Sequence, residues 1–165
     1  MALYEPLLNE LLFEARSTRK MLELVPEDKF SWKPHEKSMT MGQLASHLAE
    51  MPYYAYVTVE QDVLDFATSD YKPKAAATSA ELLQIFDDNL AKATESLKNA
   101  SDEKLLANWK MQSGDEVYMD MPRTQVLRGF VLNHNVHHRG QFSVYLRLND
   151  IPLPSVYGPT ADEAM

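Results

Sequence analysis

Leu127-Arg128-Gly129-Phe130-Val131-Leu132-Asn133-His134-Asn135-Val136-His137-His138-Arg139-Gly140-Gln141-Phe142-Ser143-Val144-Tyr145 is the stretch that decides the fold. Read as a helix, it carries a seam through Leu127, Val131, His134, His138, Gln141 and Tyr145 at alternating steps of four and three, the spacing of a helix that faces a core. His134 and His138 are one helical turn apart, so the second imidazole is rotated by only about 40° and raised by about 6 Å, and both can converge on one point. His137 is turned about 60° to the other side of His134 and faces elsewhere. A metal ion is the obvious occupant of the shared point.

Working outward, Pro122 suits the first turn of this helix, which the pattern carries to about residue 148, ahead of Asn149-Asp150-Ile151-Pro152. Three further segments share the helical period. The first spans 2–24, with Tyr4, Leu8, Leu11, Ala15 and Leu22 in step, and stops at Val25-Pro26. The second spans 40–66 and opens on a capping box, Thr40 with Gln43; Pro52 inside it predicts a kink or irregular turn near His47. The third follows Thr78, where Glu81 repeats the capping spacing, and ends near Asn99. Between 101 and 121 two short apolar runs around Ser113-Gly114-Asp115 suggest a small hairpin or an irregular excursion. The segment from Pro152 through Tyr157-Gly158-Pro159 cannot be helical and is expected to lie over the helices as an extended strap.

Four long helices without a convincing strand pattern predict an all-α antiparallel bundle in one domain over residues 1–165, with sites built from facing helices. A chain of this length buries roughly two-thirds of the surface its unfolded form exposes. With no cysteine, disulfides, thiolate metal ligands and a cysteine nucleophile are all excluded. A net charge of -8 without a Lys/Arg cluster opposes binding to nucleic acid. The opening Met1-Ala2-Leu3-Tyr4-Glu5-Pro6 lacks a basic, apolar leader pattern, no segment has the length of a membrane span, and a cytoplasmic location is expected.

A buried neutral imidazole must satisfy its nitrogens by hydrogen bonds or by a metal, since an unpaired buried polar group costs about 1–3 kcal/mol. His47 lies on the second helix in line with Leu44, Met51 and Tyr54, so it too can point inward, and three imidazoles with an open fourth position describe a common catalytic metal site. Glu50, three residues on, is either a carboxylate ligand or a charged surface residue, and the surface role, or at most a contact to one of the ligands, is favoured. His35, in Lys33-Pro34-His35-Glu36, reads as solvated loop. Arg139 reads as a salt-bridge or helix-surface residue rather than an anion clamp, while Gln141 can orient a ligand imidazole by hydrogen bonding. Trp32, Tyr53, Tyr54, Tyr56 and Trp109 read mostly as core or interface, with part of the set available to wall a pocket. Ser38, Ser46 and Ser143 have no nucleophile-elbow context.

Several of these pieces together resemble the DinB-like family of helical-bundle metalloproteins, which share the DinB/YfiT fold. The resemblance spans nearly the whole chain. It rests on Phe30-Ser31-Trp32-Lys33-Pro34 ahead of Met41-Gly42-Gln43-Leu44-Ala45-Ser46-His47-Leu48-Ala49-Glu50, on Met121-Pro122-Arg123, on Asn133-His134 with His137-His138-Arg139-Gly140-Gln141, and on Tyr157-Gly158-Pro159. It implies a three-histidine site of His47, His134 and His138, the set that helix geometry selects independently. It further implies an up-down-down-up four-helix bundle, frequent homodimers, and one divalent transition metal ion, often nickel or zinc. Characterised members include transferases that join low-molecular-weight thiols to electrophiles, and thiol-dependent isomerases. A thiol substrate fits the chemistry, because a coordinated thiol is deprotonated and becomes the nucleophile that a cysteine-free chain lacks. Two alternatives remain open: a metal-dependent hydrolase using hydroxide generated at the ion, and a stress-associated metal-binding protein that is not an enzyme.

Overall fold

The computed structural model describes residues 2–69, 72 and 75–164. Met1 and Met165, the bounds of the domain expected from the sequence, lie outside the described residues. The chain is predominantly helical with a small three-stranded sheet. Its elements in order are α1 (Tyr4–Leu22), a single 3-10 turn (Glu27–Lys29), α2 (Met41–Glu60), β1 (Val63–Asp65), α3 (Ser79–Asn99) and α4 (Asp102–Leu106). There follow β2 (Asn108–Ser113), β3 (Glu116–Pro122), α5 (Arg123–Gln125), a π-helical stretch (Val126–Leu132) and α6 (Asn133–Arg147).

Local chemistry sets the helix starts. Thr40 and Gln43 form both arms of the expected capping box on α2, with the Gln43 amide donating to Thr40 Oγ1 at 3.2 Å and the Thr40 amide donating to Gln43 Oε1 at 2.8 Å. At α3 only one arm forms as expected: Thr78 Oγ1 accepts from the Glu81 amide, but the Glu81 carboxylate accepts from Ala77. Pro52 sits inside α2 without ending it. Its missing N–H leaves the Leu48 carbonyl without the usual donor, and one residue along, Asn89 Nδ2 donates to the Ala49 carbonyl from α3.

The second helix stops at Glu60, short of the expected residue 66, because Arg123 terminates it. Arg123, 1% exposed, donates to the Thr58 and Gln61 carbonyls at 2.8 and 3.0 Å and also to those of Ala107 and Asn108. One guanidinium thus satisfies the carbonyls at the end of α2 and ties them to the start of β2. The residues beyond form β1, which pairs parallel with β2, while β2 and β3 make an antiparallel hairpin. Its turn places Gly114 at φ 58°, a left-handed conformation that favours glycine. The all-α expectation is therefore corrected: Trp109 and Met111 turn inward from β2 and pack with Leu64, Val57 and Val126, so that a small apolar cluster joins the sheet to the helices.

Hydrogen bonds fix the helix directions. Ser46 accepts from the Ala76 amide, Ala49 from Asn89 and Glu60 from Ser96, so α2 and α3 run parallel. Val25 accepts from Ser79, Arg19 pairs with Asp87 and the Leu3 amide meets Asp102, so α1 and α3 run antiparallel. His47 meets His134 while Thr58 meets Arg123, so α2 and α6 run antiparallel. The main core joins Leu22, Leu44, Leu48, Phe86, Phe142 and Leu146 from all four long helices. The segment after Asp150 lies against this core through Ile151, Leu153 and Val156, as the strap expectation requires.

Gly42 marks a close approach. A Cβ there would stand 2.7 Å from Phe30 Cδ1 and 3.1 Å from the Phe30 carbonyl, which accepts the Gly42 amide at 2.9 Å. Gly42→Ala should therefore destabilise the chain by about 1–3 kcal/mol through overpacking, against the helix propensity of alanine. Urea unfolding checks this, and a stabilised variant would show that Phe30 moves aside freely.

Candidate metal centre

The last helix does not carry its apolar register straight through. Across Val126–Leu132 the hydrogen-bonded ring is widened to the π form. Such a stretch takes up an extra residue, and the buried line continues from Leu127 and Val131 to Asn135, Arg139, Phe142 and Leu146. The expected seam through His134, His138 and Gln141 is thereby displaced from the centre of the buried face to its margin. Both histidines are half-buried and Gln141 is exposed.

The displacement matters chemically, because it leaves the imidazoles with protein on one side and solvent on the other. His134 Nε2 lies 2.7 Å from His138 Nε2 and 3.4 Å from His47 Nε2. Among the described residues, these three histidines are a group whose ligand atoms lie within 4.8 Å of one another, close enough to hold one metal ion. Nitrogens bound at about 2.0–2.1 Å to one tetrahedral zinc would stand about 3.3–3.4 Å apart, so the His47 to His134 spacing fits and the His134 to His138 pair is tighter. The second nitrogens differ. His138 Nδ1 lies 3.0 Å from Gln141 Oε1, an acceptor that holds the proton on Nδ1 and leaves the Nε2 lone pair facing the cluster. His134 Nδ1 is buried without a hydrogen-bond partner.

Burial keeps the cluster neutral. It lowers the pKa of all three histidines, and their positive charges would also repel one another; His134 is pushed down to about 4. At pH 7 the lone pairs are thus free for a cation. In protein stripped of metal, the folded state resists protonation of His134 until about pH 4, whereas an unfolded histidine takes its proton near 6.5. The unfolded state therefore binds more protons within that window, and stability falls as pH drops from 6.5 towards 4. Urea midpoints measured with chelator across this range should decline, and His134→Ala should flatten part of the slope. An unchanged slope in that variant would contradict the assignment.

Around the cluster, the Phe130 ring packs 5.3 Å from His134, and Tyr54 meets Phe130 edge-on at 5.7 Å, which gives one aromatic wall. Trp109 is core, and Trp32 stacks edge-on against Tyr145. His137 is exposed, its ring 4.9 Å from that of His138, and His35 is exposed in its loop. Ser46 and Ser143 are engaged with the backbone, Ser46 Oγ accepting from Ala76 and Ser143 Oγ donating to the Gly140 carbonyl.

The surface role favoured for Glu50 is corrected, and of the two roles read for Arg139 the salt bridge holds while the helix-surface position does not. Glu50 is buried on α2, 4% exposed. Arg139 is buried too, its Nη2 donating to Glu14 Oε2 at 2.5 Å, while the Tyr157 hydroxyl of the strap donates to the same carboxylate at 2.6 Å. A signal for this was present in α1, where Glu14 interrupts the apolar stripe of Leu8, Leu11, Ala15 and Leu22. A carboxylate on a core face calls for a buried partner or a proton, and a buried arginine is one such partner.

The comparisons with known proteins agree with this architecture. A profile of the DinB family matches residues 2–164. The chain belongs to the DinB family. Among relatives of this DinB chain, the uncharacterized protein YrdA of Bacillus subtilis is 26% identical over 155 residues, covering 92% of this chain and 86% of YrdA. YjoA of the same organism, also uncharacterized, is 23% identical over 142 residues, covering 86% of this chain and 87% of YjoA. The fold is similar to crystal structures of a DinB-like protein from Bacillus cereus (TM-score 0.72, 22% identity, 93% of this chain and 97% of that one) and of YjoA (TM-score 0.71, 19% identity, 92% and 97%). No helix among the described residues is long and apolar enough to cross a membrane.

Proposed function

We propose that this DinB-family protein is a metal-dependent enzyme in which His47, His134 and His138 hold one divalent transition ion, nickel or zinc, and that it transfers a low-molecular-weight thiol to an electrophilic small molecule. The observation that carries the reading is the convergence of imidazole nitrogens from two helices, neutral at pH 7 and open to solvent on one side. Once bound, the ion would stabilise the thiolate and so supply the nucleophile that the chain lacks. Gln141 fixes the tautomer of His138, and Phe130 with Tyr54 keeps water from one flank of His134.

The thiol is preferred to water as the activated group on energetic grounds. A free thiol with a pKa of about 8.5 needs a far smaller shift to ionise at neutral pH than water at about 15.7. The reading also takes the four long helices as an up-down-down-up bundle, supported by the parallel α2 and α3 and the long connection 61–78 that this arrangement needs. It takes the protein as a homodimer, which sedimentation at micromolar concentration checks; a monomer removes that element.

The test of the reaction uses metal-loaded protein with a panel of bacterial thiols and a chromogenic electrophile. Turnover that needs both metal and thiol, and that disappears in His138→Ala, is expected. Ester hydrolysis without thiol would replace the transferase with a hydrolase, and metal binding with neither activity would leave a binding protein.

A further inference from the structure

A second cavity lies on the opposite side of the histidine helix. Val136 and Gly140, two residues after His134 and His138, are turned about 200° from them, and with Met21 of α1 and Leu153, Val156 and Tyr157 of the strap they line a cavity of about 270 Å³ that opens to solvent on one side. Its walls are largely apolar. At its polar end the Arg139 guanidinium lies 5.2 Å from the Tyr157 ring centroid, but that cation is already matched by Glu14. The cavity therefore contains no uncompensated charge.

Gly140 is the second observation. A Cβ built there would meet nothing within 4 Å, so no close packing of a neighbour demands glycine in the middle of α6, where alanine would favour the helix. What the missing side chain preserves is open space along the cavity wall. The strap is anchored to the helices by bonds that do not depend on filling it: Tyr157 donates to Glu14 of α1, and Arg147 of α6 pairs with Asp162.

We infer that this cavity between α6 and the strap is a binding site for an uncharged, largely apolar small molecule, separate from the histidine cluster. Its volume equals about nine waters at roughly 30 Å³ each, enough for a ligand of roughly ten to twenty non-hydrogen atoms. Apolar walls provide the affinity, and the paired Arg139 and Tyr157 offer polarity at one end without a charge to neutralise. An anionic ligand would have to compete with the buried Glu14 for the buried guanidinium.

The test titrates the full-length protein with two fluorophores of the same ring skeleton, neutral N-phenyl-1-naphthylamine and anionic 1-anilinonaphthalene-8-sulfonate. The neutral probe should bind saturably at one site per chain, at least tenfold more tightly than the sulfonate. Gly140→Leu should weaken it at least tenfold with no loss of thermal stability, and Val156→Trp, on the facing wall, should do the same. His134→Ala should leave the affinity unchanged within twofold, which separates this site from the metal reading. Absence of saturable binding, equal affinity for the sulfonate, indifference to both cavity-filling variants, or loss of binding in His134→Ala would each overturn the inference.

Discussion

Replacing Arg139 with alanine is expected to lower the unfolding free energy by about 3–5 kcal/mol, because removing one partner of a buried ion pair strands the other charge. Arg139 is 3% exposed and Glu14 6%, so water cannot take over the lost contacts. The same guanidinium also donates to the Glu14 carbonyl at 2.9 Å and to the Tyr157 hydroxyl, so its loss disconnects α1, α6 and the strap together. The paired replacement Glu14→Leu with Arg139→Met should recover most of the stability, since it removes both charges and keeps the volume. Urea unfolding of the single and double variants decides the matter. A loss below about 1 kcal/mol for Arg139→Ala would mean that the pair is solvated in solution.

The second large effect concerns the cluster. His134→Ala is expected to weaken binding of zinc or nickel at least about 100-fold, more than 2.7 kcal/mol, since removing a ligand should exceed the 10–100-fold cost typical of removing a group that only orients one. Gln141→Leu supplies the comparison, because Gln141 touches His138 Nδ1 and not the shared point; a loss of about tenfold is expected. His137→Ala should have little effect, as that side chain is exposed and outside the group of three. Competition titration against a chelator of known affinity gives all three values. Equal losses in His134→Ala and His137→Ala would show that a general histidine-rich surface, and not a built site, attracts the metal.

The local signals in the sequence translate faithfully into structure where a single residue enforces them. Thr40 with Gln43 and Thr78 start their helices, Pro122 precedes the last one, and Gly114 turns the hairpin. What stays hidden depends on partners far along the chain. Arg139 reads as a salt-bridge or helix-surface residue, and its burial emerges only when Glu14, 125 residues away, is placed opposite it. The end of α2 is set by Arg123, 65 residues from the Thr58 carbonyl it caps. Three-residue β1 has no period to read, and its pairing comes from β2. The π-helical stretch shifts the buried line by one residue, which no count at 3.6 residues per turn anticipates. The histidine trio survives this shift because its convergence needs only the four-residue spacing on α6 and an inward His47 on α2. The shift decides instead how open the trio is to solvent.

The most direct measurement is the metal content of protein purified without a histidine tag, by elemental mass spectrometry. Close to one equivalent of a single divalent transition metal per chain is expected, falling to near zero in His134→Ala with the fold retained. Less than about a tenth of an equivalent of any transition metal in the parent protein, with no uptake on exposure to zinc or nickel and no change in His134→Ala, would contradict the account.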